Sequence, residues 1–317
     1  MIKILANDGI EADGVLLLQE AGYELDLVSI PQAELMAKLP AYDAIIVRSA
    51  TKVRKELIDA CPNLKIIARG GVGLDNIDVD YARSKGIRVI STPAASSVSV
   101  AELAIAHMFS QARMLHLSNR EMPVRGTSEF KKLKSMFAEG SQLRGKTLGI
   151  VGFGRIGQEV ARIALGIGMD ILPVDPIVKE ANVVLSNTPN AYFSVPMRCV
   201  GMDDMLAKAD YITLHVPFTG KPLFSYDEFA KMKTGVTIIN AARGGVVDEA
   251  ALLAALESGK VAGAGLDVFE NEPTPRAELM SHPKVSVSPH IGASTVQAQA
   301  QIGLELADRI IEYFGEH

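Results

Sequence analysis

Short apolar runs separated by amphipathic stretches recur from the first residues to about residue 95. Ile2 to Ala6, Glu24 to Val28, Ala44 to Val47, Lys65 to Ala68 and Arg88 to Ile90 are too short for helices and predict strands; the stretches between them carry apolar residues at helical spacing. Regular alternation of this kind predicts a parallel sheet covered by helices on both faces, with the opening Met1-Ile2-Lys3-Ile4 as one edge of it. From Ser99 to about Asn119 the apolar residues Val100, Leu103, Ala104, Met108 and Leu115 keep helical spacing behind a candidate N-cap at Ser99, which predicts a long helix between two domains. Glu121 to Arg144 is lysine-rich without a sustained period and reads as a loop with a short helix. A second alternation begins at Thr147, with strands predicted at Thr147 to Val151, Asp170 to Val174, Tyr211 to Val216, Val236 to Asn240, Ala262 to Leu266 and Val285 to Ser288. Pro176 to Val200 fits neither period and reads as an irregular insertion. Ala293 to Tyr313 predicts a closing helix pair that returns to the first domain. That domain is then discontinuous, 1–98 with 289–317, around a second domain at 99–288.

Composition narrows the class. With 48% hydrophobic and 22% charged residues the chain is globular, not disordered, and no uncharged stretch is long enough to span a bilayer. The net charge of -5 argues against a nucleic-acid surface and means that an anionic substrate must be met by its own arginines. Cys61 and Cys199 lie far apart and show no metal-ligand spacing, and the start lacks a signal peptide's pattern, so no metal and a reducing cytoplasmic setting are expected.

Gly152-Phe153-Gly154-Arg155-Ile156-Gly157 follows the apolar run Leu148 to Val151 and opens a helical pattern. In that context the three glycines make a dinucleotide fingerprint: Gly152 for the tight turn, Gly154 for backbone approach to a pyrophosphate, and Gly157 for close packing of helix on strand. The phosphates would meet free N–H groups at the helix start, around Arg155 and Ile156. Asp175, at the end of the next strand, can accept hydrogen bonds from ribose hydroxyls and would repel a 2′-phosphate, which selects NAD over NADP. Pro217 and Ala241, each just past a predicted strand, complete the cofactor-side set.

Three further polar residues stand at or near strand ends bordering the same crevice. His290 can exchange a proton with a carbinol or carbonyl oxygen near neutral pH. Glu272, bonded to the other ring nitrogen, would fix the tautomer and favour imidazolium. Arg243 can hold a carboxylate by a two-pronged contact. Singly each has a duller reading, as a surface charge, a loop acid or a backbone-satisfied histidine; it is the set behind a dinucleotide fingerprint that points to hydride transfer.

Over nearly its full length the chain resembles the D-isomer-specific 2-hydroxyacid dehydrogenases. The matching pieces are Val151 to Gly157 with Asp175, the run Asn240 to Asp248, the run Gly265 to Pro273, and Pro289-His290-Ile291-Gly292. The resemblance implies Arg243, Glu272 and His290 as the catalytic set and Asp267 on the cofactor side. It also implies a Rossmann NAD domain inserted into a discontinuous flavodoxin-like substrate domain, and a homodimer built on the interdomain helix. Arg48-Ser49-Ala50-Thr51, Arg69 to Asp78 and His290 to Thr295 are similar to the D-3-phosphoglycerate dehydrogenases within the family. That similarity implies backbone N–H groups of Gly71, Val72 and Gly73 on the substrate carboxylate, Arg48 and Arg69 near a phosphate, and Ser49 among the substrate-binding residues; the chain stops at His317, soon after the closing helix, so the C-terminal regulatory domain that many of these enzymes carry is not expected. Ser91 stands where asparagine is common, Phe218 to Phe224 is shorter than usual and Pro176 to Val200 longer. A hydroxypyruvate or glyoxylate reductase would share every catalytic residue, and a corepressor of this fold, binding NAD as a conformational ligand, is the alternative outside enzymes.

Overall fold

The computed structural model describes residues 1–188 and 191–315, which group into two compact units, Met1–Ser97 with Ala293–His317 and Val98–Gly292. The first runs β1 (Lys3–Ala6), α1 (Ala12–Glu20), β2 (Glu24–Asp26), α2 (Leu35–Lys38), β3 (Ala44–Val47), α3 (Lys55–Ala60), β4 (Ile66–Arg69), α4 (Val79–Ser84) and β5 (Arg88–Ser91). All five strands are parallel, in the order β2-β1-β3-β4-β5. β1 is therefore interior, not the edge its position in sequence suggests, and Ile4, Leu5 and Ala6 are fully buried, as a strand covered on both faces requires. β2 stops at Asp26, two residues short of expectation, because the Asp26 carboxylate accepts the Val28 N–H at 3.0 Å and turns the chain out, leaving Leu27 and Val28 exposed. One face of the sheet packs Leu5, Ile45, Val47 and Ile67 against Leu35, Leu39 and Leu57.

The second unit runs α5 (Ser97–Ala112, beginning one residue before it), α6 (Leu115–Arg125), α7 (Phe130–Met136), β6 (Thr147–Val151), α8 (Arg155–Gly166), β7 (Asp170–Val174), β8 (Glu180–Thr188), β9 (Ala191–Arg198), α9 (Met202–Lys208), β10 (Tyr211–Leu214), α10 (Tyr226–Lys231), β11 (Val236–Asn240), α11 (Glu249–Glu257), β12 (Val261–Leu266), α12 (Ala277–Ser281) and β13 (Val285–Val287). Six parallel strands order as β13-β12-β11-β10-β6-β7. The single long helix expected from Ser99 breaks at Met114, which takes a left-handed φ of 50°. α6 then extends into the expected loop, where Arg125 grips Glu121 and Glu129 one turn to either side at 2.6 and 2.7 Å. The stretch read as irregular is an antiparallel hairpin, β8 with β9, bulged at Val184/Ser186. The bulge and the interspersed Asn, Pro and Ser blur its two-residue period, while Val183, Leu185, Met197 and Cys199 pack into the core beside α8.

The chain returns to the first unit in α13 (Val296–Gly315), one continuous helix where a pair was expected. Its Ile302, Leu306, Ala307 and Ile310 bury against Ile4, Ile46, Ile66 and Leu18. Its Gly303 lets α1 approach so closely that a Cβ on Gly14 would stand 2.5 Å from the Gly303 carbonyl oxygen. The turn 289–292, expected with the first unit, stays with the second because Asp267 holds it. Among the described residues no helix is long and apolar enough to cross a membrane.

Candidate active site

In the second unit the strand order reverses between β6 and β10, and the loops after both strands meet there. The Gly152 N–H donates to the Val174 carbonyl at 2.8 Å and the His215 N–H to the Val151 carbonyl at 2.7 Å. Gly152 has φ 93°, and a Cβ on it would overlap the His215 carbonyl; a Cβ on Gly157 would overlap the Gly152 carbonyl. At Gly154, the N-cap of α8, a Cβ would meet open space, and no side chain caps the helix. The Arg155, Ile156 and Gly157 amides thus form a bare helix start reached over a glycine loop, which fits a dinucleotide pyrophosphate. Asp175 sits at the end of β7. One carboxylate oxygen accepts the Phe153 N–H at 2.7 Å, and the other accepts the Ile177 and Val178 N–H groups at 2.8 Å, so it ties the glycine loop to the strand. Those backbone bonds overcome the cost of partial burial and hold its pKa below the usual carboxylate value. Pro217 is exposed just past β10, and Ala241 is buried just past β11.

Around the ends of β11, β12 and β13 the other three candidates gather. His290 Nδ1 and Glu272 Oε2 are 2.7 Å apart, and Glu272 Oε1 accepts the Phe269 N–H at 3.0 Å. The imidazole is half exposed. His290 itself has a left-handed φ of 54°, a costly backbone for a residue with a Cβ. Asp267, 1% exposed, stabilises it: its carboxylate accepts Ser288 Oγ at 2.6 Å, the Ile291 N–H at 2.9 Å and the Gly292 N–H at 2.8 Å. Expected on the cofactor side, Asp267 makes these contacts to the turn that carries His290. Half-buried Arg243 donates from one guanidinium nitrogen to the Ala242 carbonyl at 2.6 Å, and its own carbonyl accepts Asn240 Nδ2 at 3.0 Å. A Cβ on neighbouring Gly244 would overlap the Phe269 carbonyl, so the Arg243 loop lies directly on the segment that orients Glu272.

In the first unit the strand order reverses between β1 and β3, and Asp8 bridges their ends. It accepts the Arg48 N–H at 2.7 Å, the Thr51 N–H at 3.0 Å and Thr51 Oγ1 at 2.6 Å, while Asn76 Nδ2 donates to the Arg48 and Thr51 carbonyls. This fixes the turn containing exposed Ser49. The Arg48 guanidinium is engaged on both sides, by Gln299 Oε1 and by Glu11 Oε1 at 3.2 Å. Arg69 lies against Gly71, whose Cβ position its guanidinium would overlap. The Gly71 N–H donates to Thr92 Oγ1 at 2.8 Å; Val72 is exposed and Gly73 partly exposed.

Residues 105–292 match the family model described as D-isomer specific 2-hydroxyacid dehydrogenase, NAD binding domain. The chain belongs to that family. A hydroxypyruvate reductase of Thermotoga maritima is 43% identical over 320 residues, covering 99% of this chain and 98% of that one. A D-3-phosphoglycerate dehydrogenase of Archaeoglobus fulgidus is 40% identical over 314 residues; the alignment covers 98% of this chain and 57% of that longer relative. Among solved structures, an NADPH-dependent glyoxylate/hydroxypyruvate reductase of Sinorhizobium meliloti superposes with a TM-score of 0.84 at 29% identity, covering 99% of this chain and 95% of that one.

This 2-hydroxyacid dehydrogenase is thus an NAD-dependent oxidoreductase built on two parallel-sheet α/β units. NAD, when bound, would supply the hydride carrier for oxidation and reduction at the 2-carbon of a 2-hydroxy acid. The dehydrogenase also contains polar residues that sequence reasoning passed over. His107 of α5, given no context from its spacing, is 5% exposed and bonded through both ring nitrogens to Ser286 and Ser288. Asp8 and Asn76 were missed because their bonds organise a turn some 25 to 43 residues away in the chain.

Proposed function

We propose that the dehydrogenase interconverts a small D-2-hydroxy acid and its 2-oxo acid with His290 as the proton carrier, Glu272 as its orienting carboxylate and Arg243 as a carboxylate clamp. The 2.7 Å contact between His290 Nδ1 and Glu272 carries this reading. A carboxylate on Nδ1 keeps a proton there and leaves Nε2 to exchange one with the substrate oxygen. In the second unit Arg243 would meet a substrate carboxylate; in the first, Gly71, expected with Val72 and Gly73 to supply amides, has its N–H committed to Thr92. In the same reading Asp175 selects NAD, the exposed apolar residues Phe109, Leu115 and Met122 support homodimerisation along α5 and α6, and the two unpaired cysteines support a cytoplasmic setting.

For the substrate, the sequence motifs favour the phosphoglycerate and phosphohydroxypyruvate pair, with Arg48 and Arg69 on the phosphate. A second reading, glycerate and hydroxypyruvate, is supported by Glu11, which offsets the Arg48 charge before any substrate arrives. Steady-state kinetics with NADH against phosphohydroxypyruvate, hydroxypyruvate and glyoxylate decide between them. A phosphate bond to arginine contributes on the order of 1.5 to 3 kcal/mol, so on the first reading Arg48→Ala lowers kcat/KM about tenfold or more for the phosphorylated substrate and little for hydroxypyruvate. Equal losses make Arg48 structural. In either case His290→Gln should lower kcat by about 10²- to 10⁴-fold while NADH still binds, and a fully active variant overturns the mechanism.

A further inference from the structure

We propose that His107 is a positioning residue for His290, acting through Ser288 and Asp267; this rests on the reading of His290 as the proton carrier. The bonds run in one direction. Asp267 accepts the hydrogen bond that the Ser288 hydroxyl donates at 2.6 Å, so the Ser288 oxygen is left to accept from His107 Nε2 at 2.9 Å. That places the His107 proton on Nε2, and Nδ1 accepts from Ser286 Oγ at 3.0 Å. Ser286 lies 3.3 Å from Ser110 Oγ, and Ser110 lies 3.4 Å from His116 Nδ1.

His107 is brought to this place by two glycines of β12. A Cβ on Gly265 would stand 2.6 Å from the His107 Cβ, and a Cβ on Gly263 would overlap the Gln111 side chain. Gln111 Nε2 donates to the Ala264 carbonyl at 2.5 Å, so α5 is bolted to the strand that leads into Asp267. Burial holds the imidazole below its ordinary pKa, the Asp267 charge opposing and His116 adding to the shift, which agrees with a neutral ring.

The function of this chain of bonds follows from the left-handed backbone at His290. Asp267 holds the two amides after His290 and the hydroxyl two residues before it, and His107 fixes that hydroxyl's rotamer. Without the His107 bond Ser288 is free to rotate off Asp267, and the His290 ring shifts against its substrate. A misplacement of about 1 Å costs on the order of a hundredfold.

The test compares His107→Leu, His107→Gln, Ser288→Ala, the double variant His107→Leu/Ser288→Ala, and His290→Gln. Each is assayed for NADH-dependent reduction of the best 2-oxo acid, NADH affinity by fluorescence, and Tm. We expect His107→Leu and Ser288→Ala each to lower kcat by about 10- to 100-fold with NADH affinity retained. The double variant should lose no more than either single one, since the two act in series. His107→Gln, whose amide can still donate toward Ser288, should recover most of the loss. Losses that multiply in the double variant, or NADH affinity and Tm falling in step with kcat, indicate a merely structural histidine and overturn the proposal. If His107→Leu does not fold, a fully active Ser288→Ala overturns it alone. An inactive His290→Gln beside a fully active His107→Leu overturns the positioning role only; an active His290→Gln overturns the proton-carrier reading and this inference with it.

Discussion

At the end of β10, His215 has one ring nitrogen 3.0 Å from Thr213 Oγ1, while the other is buried with no hydrogen-bond partner. Burial pushes its pKa from 6.5 down to about 3. Between those values the unfolded chain binds a proton there that the folded chain does not, so this residue's contribution to stability is full above about pH 6.5 and is lost as pH falls toward 3. Denaturant melts from pH 7 to pH 4 should therefore show a shallower acid loss for His215→Gln than for the parent, and identical slopes would contradict the assignment. His290 and Glu272, which the structure brings within 2.7 Å and which are proposed as the reactive pair, could be singled out from sequence because both lie shortly after apolar runs that end at a crevice. His107 could not, because it lies on an apolar helix face and its partners are 179 and 181 residues away.

Among the elements, the loop after β11 and the segment after β12 lean on each other at a single glycine. An added methyl at Gly244 meets the Phe269 carbonyl, a backbone group that cannot swing aside. Gly244→Ala should cost about 1 to 3 kcal/mol, read as a lowered Tm. It should also reduce turnover more than NADH affinity, since Phe269 carries the N–H that orients Glu272. Gly166→Ala is the control: it is helical with open space around its Cβ position, and Tm should hold or rise. Strands bounded by Gly, Pro or Asp were legible, and so was the parallel pairing, since continuous apolar runs demand cover on both faces. The hairpin was not, because a bulge shifts its alternation midway. The break at Met114 was not either, since neither glycine nor proline marks it.

On the scale of the whole molecule, the sequence showed that the chain leaves its first unit and returns, because the closing helical pattern follows a completed second alternation. It did not show that this return is one unbroken helix that buries Ile302, Leu306, Ala307 and Ile310 on the first unit's sheet. The order of synthesis and the order of completion are consequently reversed. On the ribosome residues 1–97 emerge before the second unit, yet part of one face of their sheet, beside α1, stays uncovered until residues 296–315 follow, by which time the second unit has all its strands. A chain stopped after Gly292 should therefore melt cooperatively only in its second unit, with Leu18, Ile46 and Ile66 left open to proteases and to fluorescent dyes that seek apolar surface. Two separate protected fragments in limited proteolysis of that truncation would show instead that the first unit closes unaided. Within residues 1–317 the unit made first is the last to be sealed, and the interval between is when its apolar face is open to mispairing.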